Sequence, residues 1–168
     1  MIAFKIKSLS YGHSGVQTNT VERLMDMYNN DVIPVIYTQG SLGASGDLAP
    51  LSHLSLPLLG LGEVYHGGIK MPAADVLKKF DWKPIELKSK EGLALINGTQ
   101  FMTAYGLHNL IQCDRLIKWA NIIAAISFDA FDCTTEPLHE NIHAVRSHNG
   151  QVSTAATMRR LLSGSKIA

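Results

Sequence analysis

The sequence predicts a mainly α chain with little sheet, on three observations. Residues 99–131 form one long run that is apolar on much of a helical circumference, at Phe101, Met102, Leu107, Leu110, Ile111, Leu116, Ile117, Trp119, Ile122, Ile123 and Ile126. Residues 16–28 place Val21, Leu24, Met25 and Tyr28 on one helical face. Extended segments are few and short.

In chain order, an opening apolar, helix-like segment is broken at Gly12 and Gly15. The helix over 16–28 stops at Asn29-Asn30-Asp31. Residues 32–37 are β-branched but interrupted by Pro34, which predicts a loop or an edge segment. A glycine-rich turn follows at residues 40–47, then an apolar helix over 48–61 that tolerates Pro50 in its first turn and kinks at Pro57. Residues 63–71 read as a small hairpin around Gly67-Gly68. A short helix suits 72–80, with Pro near its start. Residues 82–87 are extended and 91–96 form a short helix interrupted at Asn97-Gly98, after which Thr99 can cap the long helix. That helix is apolar enough to demand burial in a bundle or an oligomer. Residues 134–150 are polar and irregular, and 151–162 form the last helix.

The chain has 168 residues with a formal charge of +1; 46% are hydrophobic and 17% charged. This length suffices for a core, and the composition excludes disorder. So balanced a charge gives no footprint for nucleic acid or an anionic membrane. The least charged stretch, 48–62, is too short to span a bilayer. With no signal-peptide pattern at the start and two cysteines, Cys113 and Cys133, expected in the core, the expectation is a soluble cytoplasmic protein. The charged fraction is low for a free-standing domain. Together with an uncapped apolar start and an end just past a helical pattern, it predicts residues 1–168 to be a single partial domain of a larger protein, or else a subunit that buries much of its surface; a compact domain of low charge is the alternative.

Generic motifs explain little. His139-Glu140-Asn141-Ile142-His143 fits the H-E-x-x-H pattern of zinc hydrolases. No Asp or Glu follows Glu140 to supply a third ligand, and Pro137 and Asn149-Gly150 leave little room for a long helix. No metal site is expected. Asn97-Gly98-Thr99 is a glycosylation sequon without a secretory context, and Ser163-Gly164-Ser165-Lys166 lacks companion motifs. His13, His53, His66 and His108 have no telling spacing.

The turn at Ala44-Ser45-Gly46 carries more chemistry. Gly46 has no side chain, so its nitrogen can approach a carbonyl closely. Ser45 has a β-hydroxyl that can be eliminated, and Asp47 can cap the next helix or handle protons. The positive end of that helix favours developing negative charge nearby.

Residues 40–53, GSLGASGDLAPLSH, closely resemble the signature of the aromatic amino acid ammonia-lyases and related aminomutases. The resemblance continues through residues 91–100, EGLALINGTQ, and residues 142–151, IHAVRSHNGQ. Three blocks in family order far exceed any single short motif in specificity, and they absorb both the HENIH string and the sequon.

The resemblance implies the fumarase- and aspartase-like helical fold. It also implies that Ala44, Ser45 and Gly46 are catalytic. Gly46 nitrogen attacks the Ala44 carbonyl, and loss of two waters leaves a methylidene-imidazolone (MIO) whose methylene comes from Ser45 Cβ. The substrate's amine adds to that methylene, then leaves as the β-proton is removed. Asn97 matches the family Asn that holds MIO and substrate, a task that suits an uncharged amide donor. Residues 48–51, 97–100 and 142–146, one stretch in each block, look most like the histidine-using members. The expected reaction is therefore L-histidine to urocanate and ammonia, in histidine catabolism, by a homotetramer. Tyrosine is the alternative substrate. The remaining pocket residues of the family, including its base, match nothing in this chain, so little activity is expected from residues 1–168 alone. Outside the family, two alternatives stand: a zinc hydrolase using His139, Glu140 and His143, or a helical assembly module without catalysis.

Overall fold

In the computed structural model, residues 1–39, 44–146 and 148–167 are described. They form two compact units, Met1–Gly106 and Leu107–Ala168.

The first unit opens with α1 (Ile2–Ser10), which ends ahead of Gly12 at φ +75°, and α2 (Thr18–Asn29). The glycine break falls where the sequence placed it, and α2 begins two residues later than the periodicity suggested. β1 is only Ile33–Pro34. It lies at the edge of a three-stranded antiparallel sheet with β2 (Glu63–His66) and β3 (Ile69–Pro72), in the order β1-β2-β3. Pro34 is tolerated because an edge strand need not donate on its outer side. The hairpin turns through Gly67 and Gly68, at φ +59° and +78°. Successive positive φ values match the twist of the flanking strands.

The apolar run after the glycine-rich turn is not one kinked helix. It is α3 (Leu48–Ser55) followed by a 3-10 turn, Leu56–Leu59, that ends at Gly60 in the left-handed conformation. Pro57 sits in the first turn of the 3-10 segment, where its missing N–H costs nothing. α4 (Ala73–Lys79) starts after Pro72, as expected. Residues 82–87 have no regular structure, though Ile85 N–H donates to Leu58 O at 2.8 Å. α5 (Glu91–Ile96) has the predicted bounds. Leu24, Met27, Leu51, Leu54, Leu58 and Leu95 meet in one fully buried core that joins α2, α3 and α5.

α6 (Gln100–Ala130) is the long predicted helix and extends into the second unit. Its apolar circumference is not buried within the chain: Leu110, Leu116, Ile117, Trp119 and Ile126 are all more than 60% exposed. Cys113, expected in the core, lies on this open surface, and Cys133 is half-buried.

In the second unit, residues 134–150 are more ordered than their polarity suggested. A 3-10 turn at Glu136–Leu138 leads to α7 (Glu140–Ala144), and α8 (Asn149–Leu162) begins two residues early. Ala125, Met158 and Leu162 form its small core, against Phe128 and Leu138. Among the described residues, no helix is long and apolar enough to cross a membrane.

Candidate functional site

The tripeptide Ala44-Ser45-Gly46 lies at the entrance to α3. Residues 40–43, the first part of the resembling block, lie outside the described residues. The backbone doubles back at this point, so that Ala44 and Gly46 form an isolated parallel bridge across Ser45. Ala44 and Ser45 are exposed, Gly46 is half-buried and Asp47 is buried. Upstream, the segment is tied to α3 by Tyr37 N–H donating to His53 Nδ1 at 3.4 Å, with the two rings edge to face.

Gly46 is held in a conformation that only glycine adopts freely, φ +97°. A Cβ there would stand 2.9 Å from Gly98 O and 3.0 Å from Gly98 N. The turn is thus packed directly on the Asn97–Gly98 peptide, joining the first two resembling blocks. The next residue completes the contact: Asp47 N–H donates to Gly98 O at 2.8 Å.

The Asp47 carboxylate does not cap its own helix. Its Oδ2 accepts Met102 N–H at 3.0 Å, in the first turn of α6. A carboxylate at that end meets both the free amide and the positive pole of the helix dipole. Sequence reasoning assigned α6 a cap by Thr99 from spacing alone; the carboxylate arrives from 55 residues away. Beside it, Gln100 is buried and its Oε1 lacks a hydrogen-bond partner among the described residues.

Asn97 terminates α5 rather than starting α6. Its N–H donates to Leu93 O at 2.9 Å, and its backbone is extended at φ −89°, ψ 126°. Its side chain is exposed and makes no hydrogen bond among the described residues, so the amide is not consumed in capping.

Two buried charged residues missed by sequence reasoning hold α5. Glu91, 1% exposed, accepts Gln17 N–H at 2.6 Å, Gln17 Nε2–H at 2.5 Å, Thr20 Oγ1–H at 2.9 Å and Lys88 N–H at 2.6 Å. Burial pushes its carboxyl pKa up, but donors from Lys88, Gln17 and Thr20 outweigh that and leave it below the ordinary value. Lys5, also 1% exposed, donates from Nζ to Ala94 O at 3.2 Å and Asn97 O at 3.4 Å. Burial lowers its pKa to about 8.

In the second unit, the HENIH residues do other work. His139 caps α7, its Nδ1 accepting Asn141 N–H at 3.3 Å. His143 is buried; its Nε2–H donates to Pro137 O at 3.1 Å and its Nδ1 accepts from Gln151 Nε2 at 2.9 Å. Both ring nitrogens are thereby engaged, and a histidine so placed has no lone pair left for a metal. Among the described residues no three His, Cys, Asp or Glu side chains are grouped to hold one.

The sequence model of the aromatic amino acid lyase family matches residues 1–168. Histidine ammonia-lyase of Burkholderia multivorans is 46% identical over 99% of this chain, which spans 33% of that protein. The fold is shared with tyrosine aminomutase of Streptomyces globisporus (TM-score 0.89, 39% identity, 99% of this chain and 31% of that one). It is also shared with histidine ammonia-lyase of Trypanosoma cruzi (TM-score 0.85, 38% identity, 94% of this chain and 31% of that one). The chain therefore spans about a third of the length of the relatives it matches. The match of the family's sequence model over the whole chain, with the mainly helical fold shared with solved relatives, places this chain in the aromatic amino acid lyase family.

Proposed function

We propose that residues 1–168 are part of a single domain of an ammonia-lyase that converts L-histidine to urocanate and ammonia. The observation that carries this reading is the contact of the Gly46 turn with the Asn97–Gly98 peptide. It sets a closely packed, exposed Ala-Ser-Gly turn against a residue whose side-chain amide is uncommitted. The identity to histidine ammonia-lyases supports histidine as the substrate. Tyrosine is the second reading, favoured by the likeness to a tyrosine aminomutase at 39% identity.

The residues present suit an MIO group. Gly46 lacks the Cβ that would collide with the Gly98 backbone, and an isolated bridge links Ala44 with Gly46, the two residues that must join. In the cyclisation, Gly46 N bonds to the Ala44 carbonyl carbon. The Ala44 oxygen leaves as water with the amide protons of Gly46 and Ser45. A second water takes the Ser45 hydroxyl and its Cα proton, so no oxidant is needed. Once formed, the group supplies an electrophilic methylene for the substrate's amine. Ser45 is exposed at the apex, where a substrate can reach it. The Asn97 amide donates to a developing oxyanion or a carboxylate without adding charge. Asp47, committed to Met102 N–H and Gly98 O, holds the turn rather than moving protons.

The open apolar face of α6 supports burial against other subunits or further chain, as in a homotetramer. We place the enzyme in the cytoplasm and in histidine breakdown, and expect no activity from these residues alone. The test is the intact mass of the full-length protein, with a digest spanning residues 39–53, alongside urocanate release. A two-water deficit confined to Ala44, Ser45 and Gly46 supports the proposal. An unmodified turn in active or inactive full-length protein refutes it and favours a non-catalytic helical module.

A further inference from the structure

We infer that Lys5 is a positioning residue for the reaction centre: its ammonium fixes the Asn97–Gly98 peptide that the Ala44-Ser45-Gly46 turn is packed against. The inference rests on the ammonia-lyase reading of that turn.

A six-residue helix such as α5 is too short to hold itself in place. Both of its ends are met by buried charges of the sign the helix dipole favours. Glu91 binds the segment at Gln17 and Thr20 to the N-terminal end, and Lys5 reaches across from α1 to the C-terminal carbonyls. The second Lys5 acceptor, Asn97 O, belongs to the same planar peptide as Gly98 N. That nitrogen lies 3.0 Å from where a Gly46 Cβ would stand. The next carbonyl, Gly98 O, accepts Asp47 N–H. Rotation of the 97–98 peptide would therefore both reaim the Asn97 side chain and shift the backbone on which Gly46 packs.

Packing alone does not call for a lysine here. No carboxylate forms a salt bridge with Lys5 among the described residues, and its acceptors are two carbonyls. The ionisable side chains on the elements around it are Lys7 on α1, Glu22, Arg23 and Asp26 on α2, His53 on α3, Glu91 at the other end of α5, and Asp47 beyond Gly98. An unpaired ammonium is costly to bury, and an apolar residue of equal length would fill the space without that cost. What methionine could not do is hold the two carbonyls.

The test uses the full-length protein with Lys5→Met and Lys5→Arg, made by cell-free synthesis. The two-water deficit at residues 44–46 is followed over time by mass, and each product is melted. The expected result is first-order cyclisation at least about tenfold slower in Lys5→Met, with a melting temperature equal to or above the parent's. Lys5→Arg, which keeps a charged donor, should cyclise within about threefold of the parent rate. Where the methionine variant does not fold, Lys5→Gln takes its place, keeping a polar group without charge. Cyclisation at the parent rate in a folded neutral variant overturns the inference, as does equal slowing in Lys5→Arg. A parent protein with no deficit overturns the reading of the turn itself, and the inference with it.

Discussion

Gly46→Ala isolates the contact on which the site depends. The added Cβ would lie 2.9 Å from Gly98 O and 3.0 Å from Gly98 N, both backbone atoms that cannot swing aside as a side-chain end can. Pushing the Gly98 backbone away strains the 2.8 Å bond from Asp47 N–H to Gly98 O and loosens the hold on Asn97. A non-glycine residue at φ +97° adds about 1–3 kcal/mol of backbone strain, and a buried donor left unpaired about 1–3 more. A local cost of about 4 kcal/mol corresponds to roughly a thousandfold more frequent opening of the turn. Hydrogen exchange of a peptic fragment over residues 44–51 of the full-length protein would read it at the Asp47 amide. The two-water deficit should also be lost. Gly67→Ala is the control, because Gly67 shares a positive φ, +59°, but has nothing within 4 Å of its Cβ position. It should leave both readouts unchanged. Parent-like protection at Asp47 together with complete cyclisation in Gly46→Ala would refute the reasoning.

Asn97→Ala should lower kcat of the full-length enzyme by about a hundredfold or more while leaving its melting temperature unchanged, since the side chain bonds nothing in the fold; near-parent turnover would remove Asn97 from the site. Lys5→Met should alter the pH dependence of stability. The folded pKa of Lys5, about 8, lies below the ordinary 10.5, so the unfolded chain binds the extra proton between those values. The parent therefore gains stability relative to Lys5→Met as pH rises from about 8 to 10.5, by up to about 3 kcal/mol, read from paired urea titrations. Glu91 has the opposite sign. Its folded pKa is below 4.5, so its contribution is present above that value and disappears as pH falls through the folded pKa. Glu91→Gln should cost about 3 kcal/mol at neutral pH, because one amide oxygen cannot serve four donors, and should flatten the acid limb of the stability profile.

Much of the fold is legible in residue order. The bounds of α5, the hairpin at Gly67-Gly68 and the long α6 follow from spacing and turn chemistry that act over a few residues. The break near Pro57 was legible too, although the change to a 3-10 turn was not, because a proline signals a lost donor without saying how the chain continues. Apolar periodicity located α6 but could not say what covers it, since these residues are left open by the fold itself.

Residue order is enough to set Ala44, Ser45, Gly46 and Asn97 within the blocks that resemble one family, and to predict helix around them. How they are held follows from long-range packing. The carboxylate on α6 comes from Asp47, 55 residues away, the grip on α5 from Gln17 and Thr20 reaches Glu91 over 74 and 71, and the ammonium on Asn97 O comes from Lys5 over 92. Local capping signals are read within a turn of helix, whereas Asp47 and Lys5 meet the ends of helices they do not belong to, and Glu91 ties its own helix to a segment more than 70 residues away. Which buried charge meets which helix end is set by how α1, α3 and α5 pack, and no spacing in the sequence encodes it.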